Sequence, residues 1–136
     1  MNQVPLFTLP VSSCDTYRDV FPYANCLLYD YQRDDGKKIR TGIRFFMITA
    51  FRKRVEESCI KWHYEHYDTL VEVQDSPWIE EFRPNLTGPQ SKWVVQHYKL
   101  FVHGNCFEYL AASWDILPDH EGIWDDVFPD RKLFAK

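Results

Sequence analysis

Asp35-Gly36 constrains the fold more than any other pair in this chain, because it sits between two runs of strand character in CLLYDYQRDDGKKIRTGIRFFMITAFRK. An Asp-Gly pair tolerates the positive φ values that a two-residue hairpin turn requires. Pairing Asp34 with Lys37 is expected to put Leu28 opposite Ile43 and Cys26 opposite Phe45 on a core face. Tyr31 then lies opposite Arg40, and Tyr29 opposite Gly42, on the other face. Along the second strand Ile39, Ile43, Phe45, Met47 and Phe51 point one way. Arg40, Arg44 and Arg52 point the other way with Phe46, Ile48 and Ala50 between them, so the middle of the strand is expected to be covered on both sides.

A second hairpin is read in WVVQHYKLFVHGNCFEYLAASW, turning at Gly104-Asn105. Its register predicts Val102 opposite Phe107, Leu100 opposite Tyr109 and Tyr98 opposite Ala111. The other face collects His97, Lys99, Phe101, His103, Cys106 and Glu108. Phe107, Leu110, Ala111, Trp114 and Leu117 also fit a helical stripe, with Asn105 and Glu108 as a capping pair, but the preceding strand and the Gly-Asn turn favour the hairpin.

Between the hairpins, YDTLVEVQ reads as a strand through its β-branched content. DSPWIEEF reads as a short helix capped by Asp75 or Ser76, with Pro77 in its first turn and Trp78 and Phe82 burying together. RPNLTGPQSK is a loop, and SSCDTYRDVF reads as a short capped helix. The polar tail after Leu117 carries Trp124, Phe128, Leu133 and Phe134, apolar groups that are expected to dock. These elements predict an α+β chain, a single globular domain over residues 1–136. An antiparallel β-sheet dominates it, with two hairpins plus a middle strand and one or two short helices.

Composition narrows the partners. A chain of 136 residues that is 45% hydrophobic and 17% aromatic can bury one sizeable core. Its net charge of -4 lacks the broad positive field that gathers phosphates, so no nucleic acid is expected. The start, MNQVPLFTLPVSS, has no basic residue and is broken by two prolines. No signal peptide is read there, and no run approaches the ~20 apolar residues of a membrane span. Cys14, Cys26, Cys59 and Cys106 form no CxxC pair and are expected to stay reduced, which suits a cytoplasmic protein.

The densest chemistry lies in CIKWHYEHYD, residues 59–68. Read as a helix from about Arg54 to His66, the segment places Val55, Cys59, Trp62, His63 and His66 on one face, with Glu57-Lys61 and Lys61-Glu65 as charge pairs. Read as a strand, it separates the two histidines. The helical reading is preferred. It gives Cys59, His63 and His66 a spacing that zinc can use, with Asp68, His97 or Cys106 as a distant fourth donor. The set has neither HExxH nor CxxC behind it, so no metal is assigned.

His63, His66 and Asp68 are the candidate acid-base residues. Trp62, Tyr64, His97, Lys99, Phe101 and Glu108 are the candidate ligand-binding surface. Cys106 with His103 opposite suits a stabilised thiolate but lacks an oxyanion cradle, and Arg40, Arg44, Arg52, Lys53 and Arg54 suit an anion or an acidic partner. GxGxxG, P-loop and GxSxG motifs are absent, and no cofactor is named by any motif.

The preferred expectation is a small acidic cytoplasmic binding or regulatory protein. It would hold a protein partner or an apolar small ligand on an aromatic-rich sheet surface, and homo-oligomers are compatible with it. The alternative is a small enzyme using a His/Asp pocket for general acid-base or metal-assisted chemistry.

Overall fold

The computed structural model describes residues 2–10, 20–86, 88–89 and 94–129. Those residues form an α+β fold dominated by antiparallel pairing. The strands are β1 (Asn2–Thr8), β2 (Phe21–Tyr23), β3 (Cys26–Gln32), β4 (Lys38–Phe46), β5 (Ala50–Val55), β6 (Thr69–Gln74), β7 (Gln96–Val102), β8 (Asn105–Ala111), β9 (Ser113–Ile116) and β10 (His120–Glu121). Three short helices are interspersed: α1 (Lys61–Tyr64), α2 (Pro77–Phe82) and α3 (Trp124–Val127). None is long and apolar enough to cross a membrane. The chain divides into two compact units, Met1–Leu9 with Phe45–Ser113, and Pro10–Arg44 with Trp114–Lys136.

The first unit is built on a five-stranded sheet of order β1-β6-β7-β8-β5. The hairpin of β7 and β8 is present, but its turn is His103-Gly104 rather than Gly104-Asn105. Both turn residues have positive φ, at 50° and 71°, and Asn105 is already the first residue of β8. Partners therefore slip by two from the expected register, giving Val102–Asn105, Leu100–Phe107, Lys99–Glu108, Tyr98–Tyr109 and His97–Leu110. A slip of two preserves the side-chain alternation, so His97, Lys99, Phe101, Cys106 and Glu108 still share one face. Cys106 now lies opposite Phe101, which removes the expected Cys106–His103 pairing. Phe45, Tyr98, Tyr109 and Phe51 stack on the other face, with centroids of Phe45 and Tyr109 4.0 Å apart.

The helix expected over 54–66 does not form. β5 continues to Val55 opposite Asn105, and the Glu56 N–H extends this pairing by donating to Gly104 O at 2.8 Å. A 3₁₀ turn over Glu56–Ser58 follows, and only Lys61–Tyr64 is α-helical. Pairing with β8 satisfies the backbone up to Glu56, where the expected helix was to start, so tertiary context overrides the local pattern. Cys59, His63 and His66 consequently share no helical face. α2 does form as expected. Ser76 caps it by accepting from Ile79 N–H, Pro77 occupies its first position, Glu80 and Glu81 are exposed, and Trp78 and Phe82 are half-buried.

In the second unit the hairpin of β3 and β4 turns through three residues, Asp34, Asp35 and Gly36. Gly36 N–H donates to Arg33 O at 2.9 Å, Arg33 N–H donates to Lys37 O at 2.8 Å, and Gly36 has φ +84°. That is a type I turn closed by a left-handed glycine, one residue longer than the expected loop. The odd count shifts the register by one and exchanges the faces: Leu27 meets Ile43, Tyr29 meets Thr41, and Tyr31 meets Ile39. All six of these residues are buried, so the tyrosines lie on the core face, and Cys26 meets Arg44 rather than Phe45. The strand expected to run on to Phe51 is also interrupted: β4 ends at Phe46, Met47 takes φ +53°, and β5 starts at Ala50. The tail docks through Trp124, whose indole N–H donates to Tyr29 O and Thr41 O, each at 2.9 Å. Phe128 lies against Tyr23 with centroids 4.6 Å apart. Leu133, Phe134 and the expected helix in SSCDTYRDVF, up to Asp19, lie outside the described residues.

Candidate functional site

The polar face of β7 and β8 is built from cross-strand neighbours and closed by the two short helices that follow β5 and β6. At its centre Glu108 is fully buried and accepts three hydrogen bonds. Arg52 Nε reaches Oε2 at 2.8 Å, Arg52 Nη2 reaches Oε1 at 3.1 Å, and His97 Nε2 reaches Oε1 at 2.7 Å. Arg52 is the direct partner of Glu108 across β5 and β8, so the sheet register itself brings the guanidinium to the carboxylate. With Nε2–H given to Glu108, His97 Nδ1 accepts from the Ser76 hydroxyl at 2.7 Å. Ser76 also caps α2, so the chain Arg52–Glu108–His97–Ser76 ties the helix to three positions of the sheet. Trp78 closes the top, stacking 3.9 Å from the Arg52 guanidinium and meeting His97 edge-on. Burial raises the Glu108 carboxyl, yet the hydrogen bonds from His97 and Arg52 outweigh it and hold the group at about 2.

Lys99 is the second buried charge on this face. Its Nζ donates to Trp62 O at 2.7 Å and Glu65 O at 3.1 Å and lies 4.8 Å from the Trp62 ring centre. Backbone carbonyls thus replace a carboxylate as partners, and burial lowers the ammonium to about 8. Cys106, on the same face, is pushed up to about 12 by burial, and burial raises the thiol of Cys59 also. Both are therefore poor nucleophiles at neutral pH.

The expected ligand-binding residues are brought together, but mostly inside the chain. Trp62, His97, Lys99 and Glu108 belong to one covered network. Phe101 is buried between the exposed rings of Tyr64 and Tyr67, whose centroids lie 5.7 and 5.3 Å away. Of the acid-base candidates, His63 is buried and spends Nδ1 on the Ile60 N–H at 2.9 Å, capping α1, and burial lowers its pKa. His66 is exposed and Asp68 half-buried, both with φ near +58°. Among the described residues no three His, Cys, Asp or Glu side chains are grouped so as to hold a metal ion. Ser76 and Trp78, which complete the network, were not among the expected site residues, and Arg52 was expected only as one of five cations suited to an anion or an acidic partner. Their legible signals were the helix-cap position of Ser76 and the strand position of Arg52.

The sheet ends differ. β1 carries Pro5, which donates no hydrogen bond, and its pairing with β6 shifts register between Pro5 and Phe7. β5 has neither interruption and is exposed along Phe51–Val55. Because Glu56 N–H points to β8, alternation turns the peptide groups of the even-numbered residues inward and those of Phe51, Lys53 and Val55 toward the open edge. Met47, Phe51 and Val55 are 50%, 42% and 49% exposed.

Compared with protein-family models, with curated proteins and with solved structures, the chain matches none.

Proposed function

We propose that this protein is a non-enzymatic binding module that holds a protein partner at the β5 end of its five-stranded sheet. The supporting observation is the exposure of Phe51 and Val55 along an uninterrupted edge strand, with Met47 exposed in the bend that precedes it. Apolar and aromatic side chains left in water beside arginines are the residue types that carry interface energy. The reactive side chains, in contrast, are spent on one another beneath Trp62 and Trp78. A protein suits this open edge better than an apolar small molecule, which needs walls on several sides. The free thiols Cys26, Cys59 and Cys106 suit a reducing compartment such as the cytoplasm, and the acidic balance of the chain argues against nucleic acid.

The test is affinity capture from lysate of the source cells, comparing the native protein with Phe51→Asp and Val55→Asp, each checked for an unchanged melting profile. Loss of the same partner by both folded variants supports the reading. Retention by both removes it.

A second reading, a hydrolytic enzyme, is favoured by the two 2.7 Å bonds that order Ser76, His97 and Glu108 as nucleophile, base and orienting carboxylate. Ser76 is only 3% exposed, so a substrate could reach it only after the side chains that cover it move. Covalent labelling of Ser76 by a fluorophosphonate would establish this reading, and its absence would exclude it.

A further inference from the structure

We infer that β5 accepts an extended, acidic segment of another protein as an added strand, an inference that rests on the binding reading and names the chemistry of its occupant. The outward peptide groups of Phe51 and Lys53 offer donors and acceptors at the spacing of an antiparallel ladder, the arrangement on which strand addition depends. β1, the opposite edge, is blunted by Pro5 and by its register shift, so the pairing-competent edge is β5.

Side-chain charge selects the occupant. Arg52, Lys53 and Arg54 are consecutive, which puts a cation on each face of the strand within a chain whose net charge is -4. Arg52 is closed on Glu108, and Arg54 spends one Nη1 bond on Ser58 O, while the Lys53 ammonium lies 5.9 Å from the Phe107 ring centre. Lys53 and Arg54 are therefore the cations presented to an incoming strand. Antiparallel pairing with a second copy, centred on Lys53, would set Lys53 against Lys53 and Arg52 against Arg54, a like-charge arrangement that costs stability. The same cations that blunt self-association thus favour carboxylates opposite Lys53 and Arg54, with apolar residues beside Phe51 and Val55.

The experiment is an NMR titration of isotope-labelled protein with three short extended valine peptides that carry, at two adjacent central positions, glutamates, glutamines or lysines. Binding of the glutamate peptide should move the amide signals of 51–55, slow exchange of the Phe51 and Lys53 amides, and weaken with added salt. The exposed double variant Lys53→Glu/Arg54→Glu, checked for folding by its melting profile, should bind that peptide at least about tenfold less and gain affinity for the lysine peptide. Equal binding of the glutamine peptide would overturn the acidic preference. Glutamate-peptide binding that leaves the Phe51 and Lys53 amides unprotected would overturn strand addition. A concentration-dependent dimer in sedimentation that protects those amides would replace the acidic segment with a second copy. None of these results touches partner capture that depends on Phe51 and Val55, so the inference can fail while the binding reading stands.

Discussion

Replacing Glu108 by Gln keeps the size of the side chain while removing its charge, and the geometry sets what should follow. Glu108 offers two oxygens to three donors. In the Glu108→Gln variant the remaining oxygen can take the place of Oε1 and still receive Arg52 Nη2 and His97 Nε2, but the amide nitrogen then meets Arg52 Nε–H, donor against donor. The native carboxyl is held at about 2 against an ordinary 4.5, and each pKa unit is worth about 1.4 kcal/mol, so ionised Glu108 contributes about 3 kcal/mol. The Arg52 side chain is 43% exposed, which screens its share and brings the expectation to about 2–3 kcal/mol. A depressed carboxyl stabilises the fold fully above the unfolded value, and that stability fades as pH falls from about 4.5 toward 2. Urea denaturation followed by tryptophan fluorescence should therefore show Glu108→Gln weaker by about 2–3 kcal/mol at pH 7, with the gap to the native protein closing as the solution is acidified. Asp35 and Asp115, whose pKa values are also lowered by arginine partners, titrate in both proteins and cancel in the difference. A variant within 1 kcal/mol of native at pH 7, or a gap independent of pH, would refute the claim that this carboxylate is paired and ionised.

Lys99 should act in the opposite pH range. Its folded value near 8 lies below the ordinary 10.5, so between those values the unfolded chain holds more protons and stability should rise with pH by up to about 3 kcal/mol. Lys99→Met should flatten that rise in denaturation curves taken from pH 7.5 to 10.5. Gly36→Ala and Gly42→Ala should both destabilise, for different reasons. An added Cβ at Gly36 meets open space but must adopt φ +84°, costing about 1 kcal/mol, whereas at Gly42 it lies 2.6 Å from Leu27 O and should cost about 2 kcal/mol or more by thermal melting. Trp78→Ala removes a half-buried ring and its stacking on Arg52, so denaturation should show a loss of about 2 kcal/mol, below the 3–5 of a fully buried aromatic.

The strands β3, β4, β6, β7 and β8 were legible, whereas β1, β2, β9 and β10 were not foreseen and register was not legible. Alternating apolar residues mark β3, β4, β7 and β8 whatever they pair with, because periodicity is local to each strand. Register depends on the turn, and Asp34-Asp35-Gly36 closes as a three-residue loop although Asp-Gly equally suits a two-residue one. That single residue exchanged the faces, moving Tyr29 and Tyr31 onto the core side of β3. At His103-Gly104 the error was two residues, and the face came through intact. The parity of the error, more than its size, decided which predicted surface survived.

The site shows the same dependence on long-range pairing. His97, Lys99, Phe101, Cys106 and Glu108 were legible as one face because they alternate within a hairpin. Arg52 joins Glu108 only through the pairing of β5 with β8, and Ser76 joins His97 only where α2 caps the sheet. Residues 54–66 went wrong for this reason: their charges are spaced for a helix, but the Glu56 N–H finds Gly104 O in a strand distant in sequence. Burial then changes the meaning of the residues that were foreseen. An exposed row of His, Lys, Cys and Glu would be a reactive surface. Beneath Trp62 and Trp78 the carboxylate is saturated by Arg52 and His97, the ammonium by two carbonyls, and the Cys106 thiol is held protonated. Such a network anchors the helices, and the same pairing puts β5 at the edge of the sheet, where Phe51, Lys53 and Arg54 face water.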